Sequence, residues 1–179
     1  MRLDLMHVLA IGMTLSPVAG LGADIKKDKG LRLEVTPVQA TDQRPAVRVA
    51  LVNESSSADA IWVNKRMAEN SAGEPPLVGR REITIQVHDD KGRAIPRWCK
   101  TNVPPAALSD YTLLHRGEFV GRTIPLDFCW DLRTPGRYRV TVSYKDSNVP
   151  SGLKPAAPHL DWVIVANAVE ITVVSPAKK

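Results

Sequence analysis

Cysteines, aromatic residues and long apolar runs are all scarce in these 179 residues, and each scarcity excludes something. Two cysteines, Cys99 and Cys129, are too few for a closed four-thiolate zinc site or a disulfide-dense scaffold. No apolar run approaches the roughly 20 residues that span a bilayer as a helix. HExxH, GxSxG, the phosphate-binding glycine loop and GxGxxG are all missing, so the strong local signatures of hydrolases and nucleotide binders are absent. Past the first two dozen residues a single methionine, Met67, remains, which excludes a Met-rich copper carrier.

The N-terminus, MRLDLMHVLAIGMTLSPVAGLGAD, has the order of an export signal. Arg2 precedes an apolar run from Val8 to Leu15, and small residues lead to a cut at Ala23/Asp24, with Gly20 as the alternative. The competing reading is a buried N-terminal strand or helix. No cysteine follows the run to carry a lipid anchor. Residues 1–23 are therefore expected to be a signal peptide and 24–179 one domain, periplasmic or secreted, with no transmembrane segment. In such a compartment Cys99 and Cys129 are expected to form a disulfide. The net charge of +5 suits a solvated face, with an anionic polymer as a further option and nucleic acid disfavoured.

The apolar residues alternate with a period of two. Leu31, Leu33 and Val35 interleave with Arg32, Glu34 and Thr36, and Ile83, Ile85 and Val87 with Thr84 and Gln86. Tyr138, Val140, Val142 and Tyr144 interleave with Arg139, Thr141 and Ser143, and Val169, Ile171 and Val173 with Glu170 and Thr172. Such alternation marks strands with one face in a core and one in water. Val47 to Leu51, Ile61 to Val63 and Phe119 to Ile124 add three more. Turn residues divide them at Asn53–Ser57, Asp90–Gly92 and Thr134–Gly136. Fourteen prolines oppose long helices. The expected fold is all-β, an immunoglobulin-like two-sheet sandwich of about seven strands.

The stretch LDFCWDLRTPGRYRV concentrates the unusual residues. Tyr138, just after the turn at Gly136, suits a sandwich corner at which a tyrosine hydroxyl bonds back to nearby backbone. Trp98 and Trp130 flank the two cysteines and supply apolar area near a disulfide. A nucleophilic cysteine would instead need a base such as His88, His115 or His159, and a second cysteine in an oxidising compartment argues against a free thiolate. His88-Asp89-Asp90 and the pair His159 and Asp161 are weak metal candidates, and no cofactor or metal is expected. Asn53-Glu54-Ser55 matches a glycosylation acceptor but is read as a turn.

Several segments in order, VRVALVNESSSADAIWVNKR, EITIQVHDDKGRAI and LLHRGEFVGRTIPLDFCWDLRTPGRYRVTVSY, then a strand after Ala166-Asn167, resemble a family of small exported bacterial immunoglobulin-like domains. Some of these stand alone; others precede the catalytic domain of deuterolysin-class zinc metallopeptidases. The third segment is the most specific, joining a leucine-rich strand, a Gly117-Glu118 turn and an aromatic-Asp-Leu before Gly136-x-Tyr138. The resemblance implies a sandwich with a non-catalytic role, and no zinc-holding region follows the domain here. The leading expectation is a binding module for a partner protein in the envelope or outside the cell, acting as inhibitor, immunity protein or accessory subunit. Its surfaces would be the loops 65–80 and 146–158, with Trp62, Arg80 and Arg81 contributing. The alternative is a carbohydrate or envelope-polymer binder, which two aromatics exposed on one surface would favour. The third is an enzyme, which would need an open pocket where a histidine and a carboxylate converge.

Overall fold

The computed structural model describes residues 30–39, 44–55, 60–69, 82–100, 104–146 and 163–174. Within them the chain is all-β. The strands are β1 (Leu31–Gln39), β2 (Pro45–Asn53), β3 (Ile61–Asn64), β4 (Ile83–Asp89) and β5 (Ala94–Ile95). They continue with β6 (Tyr111–Leu114), β7 (Phe119–Pro125), β8 (Gly136–Lys145), β9 (Val163–Val165) and β10 (Val169–Val173). The helical content of the described residues is one 3-10 turn at Leu108–Asp110, and no helix there is long and apolar enough to cross a membrane.

One sheet has the order β1-β2-β7 and a second β10-β8-β4-β5, while β3 and β6 form a ribbon; every one of these pairings is antiparallel. β9 and β10 lie along the same flank of β8, because β4 occupies the other. The Ala166 amide bonds Val142, yet Val169 stands opposite Val140. Three steps on one strand thus match two on the other, which is a β-bulge between β9 and β10.

Alternation does what the sequence implies. On β8, Tyr138, Val140, Val142 and Tyr144 are buried while Arg137 and Arg139 are exposed; on β4, Ile83, Ile85 and Val87 are buried. These meet Leu33, Val47, Val49 and Leu51 of the first sheet and Val63 and Leu114 of the ribbon in one continuous core. Each such buried side chain contributes about 1.5–3 kcal/mol relative to exposure. All seven strands expected from alternation are present, β6 is the leucine-rich strand of the third resembling segment, and β5 and β9 are additions. The Asp90–Gly92 turn joins β4 to β5, with the Gly92 amide donating to the Asp89 carbonyl at 3.0 Å and Gly92 at φ +76°. Asn53 is not a free turn residue: it is fully buried, and its side-chain amide donates to the Leu114 carbonyl at 2.8 Å, tying β2 to β6.

Polar side chains close the core where β4 begins. Glu82, just before β4, is 3 % exposed. Its carboxylate accepts from Arg66 at 2.6 Å, from the Asn64 side chain at 3.1 Å and from the Ala68 amide at 2.7 Å. Its carbonyl accepts the Lys145 amide at 2.8 Å. The Tyr144 hydroxyl accepts the Asn64 amide at 3.0 Å, and the Tyr111 hydroxyl donates to Asp146 at 2.9 Å. Burial, first of all, and the Asp146 charge next, push both phenols above their ordinary pKa. They therefore act as neutral hydrogen-bonding groups.

Removing the Glu82 carboxylate leaves the Arg66, Asn64 and Ala68 donors without it in a buried setting. Glu82→Ala is expected to cost about 3 kcal/mol or more in urea unfolding, and Glu82→Gln less, because breaking a buried pair strands the remaining charge. A loss below about 1 kcal/mol in Glu82→Ala would show that the carboxylate is not a clamp.

Candidate functional site

A second closure of the core is covalent. β7 stops at Pro125, and residues 126–130 turn back, with the Cys129 and Trp130 amides both donating to the Leu126 carbonyl at 3.1 and 3.0 Å. Arg97 and Trp130 form an antiparallel bridge, and the Trp98 amide donates to the Cys129 carbonyl at 3.0 Å. The two short segments are locked together by the Cys99–Cys129 disulfide, with Cα atoms 4.9 Å apart.

Extended backbone sends successive side chains to opposite faces. Cys99, Cys129 and Trp130 go into the core. Arg97 also turns inward: its guanidinium lies 5.3 Å from the Trp130 ring centroid and 3.3 Å from Glu69, which Arg122 approaches at 3.4 Å. Trp98, on the extended segment, points the opposite way from Cys99, and the turn presents Phe128 beside it; each is 62 % exposed, with ring centroids 6.5 Å apart and planes tilted by 43°. They are a pair of large aromatics in mutual contact on one surface.

Beside them runs an open groove of about 670 Å³ lined by Trp98, Pro45, Leu132 and Val174 and by two ion pairs. Arg44 lies 3.5 Å from Asp127. Arg133 holds Asp131 at 2.6 Å, and the Arg133 guanidinium and backbone amide together keep the Asp131 carboxyl well below its ordinary range, at about 2. The site therefore offers an apolar face together with carboxylate acceptors and guanidinium donors.

The other expected site residues lie elsewhere. Tyr138, after Gly136, donates its hydroxyl to the Thr134 carbonyl at 2.7 Å, a bond back to nearby backbone at the corner. Trp130 is buried in the core. Trp62 is half-buried on β3 opposite Leu113. Arg80, Arg81, the signal segment, most of the two proposed binding loops, and His159 and Asp161 lie outside the described residues. The first residues of the 65–80 loop are framework rather than contact surface, since Met67 and Ala68 are buried and Arg66 serves Glu82.

His88 lines a smaller groove of about 440 Å³ with Asp89, Asp90, Arg137, Arg139 and Glu170. Asp89 is committed to its own turn: it accepts the Lys91 and Arg93 amides at 3.0 and 2.8 Å and the Arg93 guanidinium at 2.7 Å. Among the described residues no group of three or more His, Cys, Asp or Glu side chains is placed to hold a metal.

Phe128 carries no reading in the sequence, and Trp98 is read there only as apolar area beside the disulfide. The signal available for Trp98 is period-two logic: if Cys99 points inward, its extended neighbour points out. Compared with protein-family models and with curated proteins, the chain matches none.

The disulfide closes a separation of 30 residues, so the double variant Cys99→Ala/Cys129→Ala is expected to lose about 3–4 kcal/mol, read as a lower urea midpoint at unchanged slope. Asp131 is expected to titrate near pH 2 by carboxyl-carbon NMR. A lowered folded-state pKa means that its contribution is present above the ordinary carboxylate range and is lost as pH falls through about 2. Arg133→Ala should return that midpoint toward the ordinary value.

Proposed function

We propose that the chain is an exported, non-catalytic binding module of immunoglobulin-like architecture that holds an envelope glycan at its disulfide end. The exposed Trp98–Phe128 pair carries this reading. A sugar ring presents an apolar C–H face that packs on an aromatic ring, and its hydroxyls need acceptors and donors at the rim. Trp98 supplies the first, and the Asp127–Arg44 and Asp131–Arg133 pairs along the groove supply the second.

Two exposed aromatics on one surface is the feature that separates polymer binding from partner-protein binding, and it moves the glycan reading ahead of the inhibitor, immunity or accessory role. The net charge of +5 favours an acidic polymer. Export is supported by the disulfide, the signal-like N-terminus and the likeness to small exported immunoglobulin-like domains. The groove at His88 brings histidine and carboxylates together, and of these Asp89 is committed to its own turn, where both its oxygens accept hydrogen bonds. That leaves it poorly placed for proton transfer.

The test is co-sedimentation of the mature, oxidised domain with purified peptidoglycan sacculi and with acidic envelope polysaccharide on beads. Binding is expected, and Trp98→Ala or Phe128→Ala is expected to weaken it by about tenfold, the loss typical of a stacked aromatic anchor. Phe119→Ala, an exposed aromatic at the far end of β7, should leave it unchanged. No sedimentation with either polymer, together with stoichiometric capture of one envelope protein that Trp98→Ala abolishes, would replace the glycan with a protein partner at the same patch.

A further inference from the structure

The long edge of β1 carries an inference independent of the aromatic patch. The register pairs Leu31 with Asn53, and the Gly30 carbonyl accepts the Glu54 amide at 2.5 Å. Even-numbered residues of β1 therefore exchange hydrogen bonds with β2, since these alternate along an antiparallel ladder. β2 agrees, because its odd residues bond β7: the Pro45 carbonyl accepts Leu126 at 2.9 Å, and the Asn53 amide donates to Glu118 at 3.1 Å.

Leu31, Leu33 and Val35 must then turn their N–H and C=O groups the other way. Among the described residues no strand pairs with them there. Pro37 shares their parity, and a proline belongs at a strand position whose N–H has no ladder partner. The space beside them is open: a groove of about 720 Å³ runs along residues 30–36, with Ile164 and Val165 on its far wall. Val165 is among the exposed large apolar side chains.

The outward face of this edge carries Arg32 and Glu34, two residues apart and opposite in sign. An antiparallel copy of the same strand reverses that order. We propose that β1 pairs with β1 of a second copy of this chain about a two-fold axis at Leu33, joining two three-stranded sheets into one. In this register Leu33 faces its own counterpart and Leu31 faces the partner's Val35, each pair exchanging both backbone bonds. Arg32 faces the partner's Glu34, and the symmetry repeats that pair, in the positions where side chains stand closest. Pro37 ends the ladder at both extremities. Arg32 is now held within its own chain by Glu34 at 2.5 Å and Glu54 at 2.6 Å, so pairing exchanges exposed carboxylates rather than uncovering a charge. A second copy fits better than a foreign peptide because the edge is self-complementary in charge, in apolar positions and in where its donors stop.

Sedimentation equilibrium of the mature, oxidised chain from micromolar to millimolar is expected to give a reversible dimer. Arg32→Glu sets like charges opposite each other twice and should weaken it by about tenfold or more. The swap Arg32→Glu/Glu34→Arg restores opposite charges across the axis and should recover most of that loss. Val35→Pro removes an outward N–H and should also weaken it. Circular dichroism and thermal unfolding establish that each variant is folded. A wild type monomeric over the whole range overturns the proposal. So does a folded charge swap that stays as weak as Arg32→Glu, or a dimer indifferent to Val35→Pro.

Discussion

The aromatic patch depends on one constraint, the covalent locking of the extended segment 97–99 to the turn at 126–130. The disulfide fixes which residues of each segment face inward. Once Cys99 is committed to the core, the extended backbone leaves Trp98 the opposite, solvent face, and the turn at 126–130 presents Phe128 to solvent beside it. The same lock brings Arg97 over Trp130 and within reach of Glu69, so the floor under the exposed rings is a buried, cross-braced layer. An aromatic pair on such a floor loses little freedom when a ligand packs on it, which is how preorganisation raises affinity.

The closure at the start of β4 uses no covalent bond. There the Glu82 carboxylate gathers the exit of β3, the start of β4 and the segment from Asn64 to Ala68 through hydrogen bonds. Buried polar groups of this kind are costly unless every member is partnered, and for that reason they select one arrangement of the chain. The two closures divide the work. The polar cluster turns its side chains inward, whereas the disulfide segment turns two of its largest apolar side chains outward. Exposed aromatics in contact are costly to keep in water, and that cost is most simply offset by a ligand.

The strands were legible because burial is one-sided. β4 and β8 read directly from Ile83-Ile85-Val87 and Tyr138-Val140-Val142-Tyr144, since a period-two pattern has few competing explanations. β5, β6 and β9 were not legible as strands from periodicity. β5 is only Ala94–Ile95 and exists because the Gly92 turn returns the chain beside β4. β6 has half-buried Thr112 and Leu113 at its centre, so no face repeats. β9 is cut short by the bulge that separates it from β10. The polar clamp was invisible because Glu82, Asn64 and Arg66 are ordinary surface residue types, and only non-local partners bring them inside. At the site the right segment stands out in the sequence, but Trp98 and Trp130 both read there as apolar filling beside the disulfide. A Trp-Cys or Cys-Trp step cannot bury both side chains on one extended face. Trp130 escapes that rule only because it sits at the end of a turn, where both its amide and that of Cys129 reach Leu126.

The edge of β1 and the aromatic patch also bear on each other. A single patch of two rings is a small anchor, and for a ligand of repeating units the strength of attachment depends on how many anchors engage together. Pairing two copies through β1 would place two patches on one rigid body. The second contact would then form at an effective concentration set by the spacing of the patches rather than by bulk protein. On a polymer, whose sites recur along its length, that gain requires no new side-chain contact. It vanishes for a ligand with one copy of the recognised group. A weak patch and a self-complementary edge are therefore more economical together than either is alone, and their coexistence in one small domain is what polymer binding, rather than tight one-to-one capture of a protein, would select.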